Sequence, residues 1–133
     1  MIVDASAIVA IALREGTARM LLEALAVAPT VRVSAANLLE SWMVIDRRNI
    51  PESTALVDRI LTRFGIAVEP VTAAQVEIAR DAWRRFGRGS GHRAQLNFGD
   101  CFAYALAKNL DEPLLFVGND FAATDVMAAM AGR

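Results

Sequence analysis

Four carboxylates stand out along this chain: Asp4, Glu40, Asp100 and Asp120. Asp4 sits between Val3 and Ala5 in an almost wholly apolar stretch, where an unpaired charge is costly to bury. A helix N-cap would account for the same residue, since aspartate favours that position. Glu40 lies in AANLLESWMVI, with Leu38, Leu39, Trp42, Met43 and Ile45 around it, so its helix offers little solvent face. Asp100 lies in NFGDCFAYALA, where an acid in a first helical turn would satisfy the helix dipole. Tyr104, four residues on, shares its face. Asp120 follows LLFVG in a polar turn, which suits the residue without any chemistry. Each acid alone has an ordinary explanation. Together, at strand ends and helix starts on one sheet edge, they would repel unless protons or cations intervened. Oxygen-liganded divalent ions are the natural counter-charge. Two such ions about 4 Å apart activate water and stabilise the leaving oxygen of an in-line phosphoryl displacement. That chemistry is phosphodiester hydrolysis, and it needs neither a histidine base nor a cysteine nucleophile.

The rest of the composition agrees. There is one histidine, His92, and one cysteine, Cys101. An internal disulfide, a cysteine zinc cluster and a multi-histidine centre are all excluded, which leaves oxygen ligands and therefore Mg²⁺ or Mn²⁺. Cys101 is expected to be a small buried apolar residue. The 133 residues are 55% hydrophobic and 22% charged, a globular composition sized for one domain. Net charge is −1, so bulk charge does not mark a polyanion binder, and contact with nucleic acid must come from a local basic patch or from bound cations. Lys108 is the sole lysine among 14 basic residues; the arginine excess fits a composition bias better than a binding surface. The opening MIVDASAIVAIAL lacks the basic region and cleavage site of a signal peptide, and no apolar run is long enough to span a membrane. A cytoplasmic location is expected.

The elements that must position these acids alternate between short apolar runs and longer helical ones. Strands are expected at 1–4, 31–33, 66–68 and 114–117, with an extended piece near 125–127 that closes the sheet. Helices are expected over 5–13, 17–28, from an N-cap at Ser34 to about Arg48, and from Pro51 to Phe64. Another should follow a capping box of Thr72 and Gln75, with Val76, Ala79, Trp83 and Phe86 at helical spacing. The last should run from Asn97 or Phe98 to Asn109. Strands separated by helices argue for a parallel α/β sandwich, whose ligands gather beyond the carboxyl ends of the strands.

At this point a resemblance is visible. The stretches MIVDASAIVA, AANLLE, LNFGDCFAYALA and LLFVGNDFAATDV, in this order and spacing, resemble PIN-domain proteins, specifically the VapC-type toxins of toxin–antitoxin pairs. The resemblance covers essentially the whole length and shows no departure from the acidic pattern. It implies a single PIN domain over residues 1–133, a three-layer sandwich with a central, mostly parallel sheet of four or five strands flanked by helices. It implies a Mg²⁺- or Mn²⁺-dependent endoribonuclease, with Asp4 and Asp100 as metal ligands and Glu40 and Asp120 as the remaining acids. Ser6 matches a hydroxyl residue that helps order the site, and Asn119 is the polar residue before the fourth acid. It implies an RNA substrate, a homodimer, and a VapB-type antitoxin that lays a C-terminal segment over the site.

Other features have competing explanations. Asp125 is treated as an outer acid of the group. Arg88, His92 and Arg93, in the glycine-rich loop 87–94, could hold RNA phosphates or simply be solvated. Trp42 and Trp83 are expected in the core. Apolar excess in the first two helices and at 127–130 fits either packing or an interaction surface. A haloacid-dehalogenase-type phosphatase also begins with a strand-end aspartate, but it needs a second aspartate where Ser6 stands. No dinucleotide fingerprint or phosphate loop is present. A catalytically silent PIN-like module remains the rival that activity must decide.

Overall fold

The structure is a computed structural model and describes residues 1–130. Ten elements follow in order: β1 (Ile2–Val3), α1 (Ala5–Ala12), α2 (Ala18–Val27), β2 (Arg32–Ser34), α3 (Ala35–Arg48), α4 (Ser53–Arg63), β3 (Ala67–Glu69), α5 (Ala73–Phe86), α6 (Phe98–Leu110) and β4 (Leu114–Leu115). The four strands form one parallel sheet in the order β3-β2-β1-β4. Chain order reverses between β1 and β4, which makes that gap the switch point where open α/β sheets bind ligands.

Each strand is only two or three residues long, yet the alternation of side chains builds two cores. Ile2 and Leu114 point to one face, with Tyr104, Leu106 and Phe86 of α5 and α6. Val3 and Leu115 point to the other, with Ile8, Leu21, Ile45 and Val57 of α1 to α4. The register Ile2↔Leu114 and Val3↔Leu115 keeps both sets aligned; a slip of one residue would exchange the faces. The apolar α1 is core, with six of its eight residues buried. No helix among the described residues is long and apolar enough to cross a membrane.

Several boundaries differ from the sequence expectation, each for a local reason. β4 stops at Leu115 rather than running to Val117, because the Val117 N–H donates to Ser6 Oγ at 3.0 Å instead of to a strand. The piece expected to close the sheet near 125–127 contributes a single bridge, Leu114 to Ala128, and no fifth strand. Pro51 does not open α4: Ser53 N–H and Oγ–H both donate to the Ile50 carbonyl, so a turn closes first and the helix begins at Ser53. Only half of the Thr72 box forms. Thr72 Oγ1 accepts from Gln75 N–H, while the Gln75 amide donates to the Pro70 carbonyl. Trp83 and Val76 are not core: they are 45% and 49% exposed, and α5 buries Gln75, Ala82 and Phe86 instead.

Leu115 is fully buried where β4 meets the first core. Leu115→Ala is expected to cost about 2–5 kcal/mol in urea unfolding, with an unchanged denaturant slope. A loss below about 1 kcal/mol would mean that this strand does not anchor the core.

Candidate active site

The acids are placed by turns and helix starts. Asp4 leaves β1 in extended geometry and becomes the N-cap of α1: its Oδ2 accepts from Ser6 N–H at 3.0 Å. Its other oxygen, Oδ1, is buried and has no hydrogen-bond partner. Asp4 is 4% exposed. Asp100 lies in the first turn of α6 and forms a full capping box with Asn97. Asn97 N–H donates to Asp100 Oδ2 and Asp100 N–H donates to Asn97 Oδ1, both at 2.9 Å. Glu40 projects from the second turn of α3, and its Oε1 accepts from the Asn37 amide at 3.2 Å. Asp120 sits exposed at the turn after β4, behind Gly118 at φ 99°.

These four, with Ser6, Asn97 and Phe121, line one cavity of about 250 Å³ at the carboxyl edge of the sheet. A larger hollow of about 650 Å³ lies between α1, α2 and α4, but its floor is apolar and it gathers no set of acids. The chemistry therefore belongs to the smaller cavity.

The electrostatics are those of charges held apart from their counter-charge. Burial pushes Asp4 from its ordinary 3.8 up to about 6; bonds from Ser6 oppose this and Glu40 adds to it. Burial likewise pushes Asp100 from 3.8 to about 6, opposed by the Asn97 N–H and by Arg88, and reinforced by Asp4 and Asp120. Burial raises Glu40 too, with Asn37 opposing and Asp100 reinforcing. Cys101 is buried beside Asp100, as expected, and its thiol is pushed up to about 11 by that burial.

The donor set fits a hard divalent cation. It is all carboxylate, and Asp4 Oδ1 is a buried oxygen lacking any partner. Among the described residues, no three acid, histidine or cysteine side chains are drawn together tightly enough to enclose one ion. The pocket holds four carboxylates in an open arrangement.

Of the other sequence-selected residues, Ser6 is at the cavity and does two jobs, bonding Asp4 and capping the end of β4 at Val117. Asn119 is exposed in the turn, its carbonyl accepting from Ala122 N–H. Neither Arg88 nor Arg93 lines the cavity; the Arg88 charge alone reaches Asp100 and opposes its upward shift. Asp125 is not brought to the acids; it pairs with Tyr104, Arg85 and Lys108. Two residues escaped the sequence reading. Asn37 is fully buried, and its amide donates both to Glu40 and to the Gly99 carbonyl, at 2.9 Å, bracing α3 against α6. A Cβ at Gly99 would meet the Glu40 carboxylate, so a side chain there must push that carboxylate aside. The i, i+3 spacing of Asn37 and Glu40 was the available signal for the first; Gly99 carried none.

A parallel sheet with four acids from separate segments at its switch point defines the class: an α/β protein with an acidic phosphodiesterase-like pocket. Residues 1–127 match the PIN domain family. Ribonuclease VapC42 of Mycobacterium tuberculosis is 52% identical over 129 residues, covering 97% of this chain and 98% of that protein. Ribonuclease VapC28 of the same organism is 48% identical over 133 residues, the full length of both. The crystal structure of M. tuberculosis VapC20, a sarcin-ricin loop cleaving toxin, shares the fold at a TM-score of 0.74, with 22% identity and 95% of each chain covered. The chain belongs to the PIN domain family and, within it, to the VapC ribonucleases.

Two outcomes follow from the pocket. The folded state holds Asp4 and Asp100 protonated to higher pH than the unfolded chain does, so it binds more protons between 3.8 and about 6. Stability therefore falls as pH rises through that window, and the deficit is full above it. Asp100→Asn keeps the oxygen that accepts from Asn97. It should raise the melting temperature in EDTA at about pH 7.5 and change it little near pH 4. Equal melting of the two proteins at the higher pH would show that the charge is not under strain. Gly99→Ala should leave stability equal or slightly higher, since alanine favours a helix by up to about 1 kcal/mol. It must displace Glu40, so RNA cleavage is expected to drop by about tenfold or more. Full activity in a stable Gly99→Ala protein would remove Glu40 from the site.

Proposed function

We propose that this chain is a Mg²⁺- or Mn²⁺-dependent endoribonuclease, the toxin of a type II toxin–antitoxin pair, which hydrolyses RNA phosphodiester bonds in the cytoplasm and so inhibits translation and growth. The observation that carries the reading is the convergence of Asp4, Glu40, Asp100 and Asp120 on one cavity, with a buried Asp4 oxygen left unpartnered. The VapC ribonuclease relatives supply the nucleic acid; the pocket supplies the means.

Asp4 and Asp100 would hold the cation, with Glu40 and Asp120 completing its ligands. A bound divalent ion supplies charge neutralisation at the scissile phosphate and lowers the pKa of an attacking water. The protein's own groups prepare for this. Ser6 N–H and Asn97 N–H each hold one oxygen of Asp4 and Asp100, which aims the other. Asn37 orients Glu40. Arg88, at the approach to Asp100, would contact a flanking RNA phosphate, with Arg93 further along the same loop.

The VapB-type antitoxin and the homodimer are part of the same proposal. Two exposed apolar regions suit them. The hollow between α1, α2 and α4 has Ile11, Leu22 and Phe64 in its wall and Arg14, Arg59 and Arg63 among its lining, a match for an amphipathic segment with acidic flanks. Around Phe98, which is 78% exposed, Trp83, Leu39 and Met43 form a second apolar face suited to another copy of the chain.

Purified chain freed of antitoxin should cleave RNA in Mg²⁺, and EDTA should abolish the cleavage. Asp4→Ala and Asp100→Asn should each lower the rate by roughly a hundredfold or more. If these variants cut as fast as the parent, the acidic metal-site reading is wrong; if the parent is inert with Mg²⁺ and Mn²⁺ alike, the chain is a silent interaction module.

A further inference from the structure

The segment after Asp120 is held by side chains that take no part in the chemistry above. Tyr104 Oη–H donates to Asp125 Oδ1 at 2.7 Å. Arg85 Nη2 and Lys108 Nζ each lie 3.3 Å from Asp125 Oδ2. Tyr104 is the sole tyrosine of the chain and is 1% exposed, with its ring among the residues of the second core. The two ion pairs are partly solvated and worth little. The bond from a buried hydroxyl to a carboxylate is charge-assisted and is the stronger restraint.

Between Asp120 and Asp125 the chain is tied by a series of local hydrogen bonds. Ala122 N–H donates to the Asn119 carbonyl at 3.2 Å, and Thr124 N–H to the Phe121 carbonyl at 3.0 Å. Thr124 Oγ1–H donates to the same Phe121 carbonyl at 2.7 Å, and Thr124 Oγ1 accepts from Val126 N–H at 3.3 Å. Asp120 is exposed at the apex of this run, so the backbone of the turn decides where its carboxylate points. Upstream, the turn is tied by Val117 N–H to Ser6 Oγ. Downstream, the Tyr104–Asp125 bond ties it to α6, the helix that presents Asp100 one turn earlier.

We propose that Tyr104 and Asp125 are positioning residues for the nuclease reaction: their bond fixes the turn carrying Asp120 to the helix carrying Asp100. The inference rests on the ribonuclease reading and deepens it, because it gives Asp125 a role at a distance from the acids.

Tyr104→Phe removes the hydroxyl and keeps the ring. Two measurements test it. In amide hydrogen exchange, residues 118–122 should exchange about tenfold faster, with β1, β2 and α5 unchanged. In RNA cleavage, Tyr104→Phe should lower kcat by about tenfold at constant KM. In an Asp120→Asn background the same substitution should change the residual rate by less than about twofold, since its effect passes through Asp120. Asp125→Asn, which keeps an acceptor for the hydroxyl, should give a smaller effect in the same direction. Unchanged exchange at 118–122, acceleration spread evenly over the sheet, or the same factor in both backgrounds would each overturn the proposal. If the parent cleaves no RNA, the ribonuclease reading fails, and exchange at 118–122 still decides whether the bond restrains the turn.

Discussion

Burying Asp4 at the end of the central strand is the constraint from which the rest of the site follows. Its side chain is almost fully enclosed, one oxygen is unpartnered, and burial raises it to about 6. Raising a carboxyl from 3.8 to about 6 penalises its charged form at neutral pH by on the order of 3 kcal/mol. Glu40 adds like charge from α3, and Asp100 is raised in its turn by Asp4 and Asp120. Such a cluster persists only because the surrounding structure stabilises it. Both buried acids stand at helix N-termini, where the dipole favours negative charge, and each accepts a backbone N–H. The remaining imbalance is what a divalent cation would neutralise.

The sheet makes this placement unavoidable for the sequence. β1 lies between β2 and β4, so the residue after Val3 emerges at the switch point with strands on both sides. Ile2 and Val3 spend their side chains on opposite cores, which fixes register and leaves the next position facing the edge. Ser6 then joins α1 to the end of β4 through the Val117 N–H. The same hydrogen bond that shortens β4 releases the chain into the turn that carries Asp120.

Much of this was legible in the residues. The order of strands and helices followed from alternating apolar runs; Asp4, Glu40 and Asp100 stood out by their apolar settings, and Asp120 by its position after a strand and by the family resemblance. What escaped recognition depended on contacts between distant segments. Asn37 looks like an ordinary helical polar residue until α6 lies against it and its amide meets the Gly99 carbonyl. Gly99 reads as a weak helix former, and only the Glu40 carboxylate beside it explains the missing side chain. Trp83 sits at core spacing on α5 yet is half-exposed, because Phe98 and Phe102 border a surface groove there rather than a covered face. Asp125 carried the right residue type near the right turn. Its partner, Tyr104, was singled out only for sharing a face with Asp100, and the bond between them depends on how the tail folds back.

The capping and chemical roles of these acids are parts of one device. An aspartate at the start of a helix, as the N-cap (Asp4) or as the N3 acid of a capping box (Asp100), commits one oxygen to a backbone N–H and thereby fixes the direction of the other. Asp4 gives Oδ2 to Ser6, and Asp100 gives Oδ2 to Asn97. In each case Oδ1 is left oriented by a bond that costs nothing further to make, since the helix already requires a cap. A ligand oxygen held this way keeps little rotamer freedom to lose on binding, which is the physical content of preorganisation. Glu40 lacks a cap and is held by Asn37 instead. Asp120 has only its turn. The acids thus differ in how rigidly they are held, with Asp4 and Asp100 at their helix starts the firmest and Asp120 the one whose position depends most on structure outside the pocket.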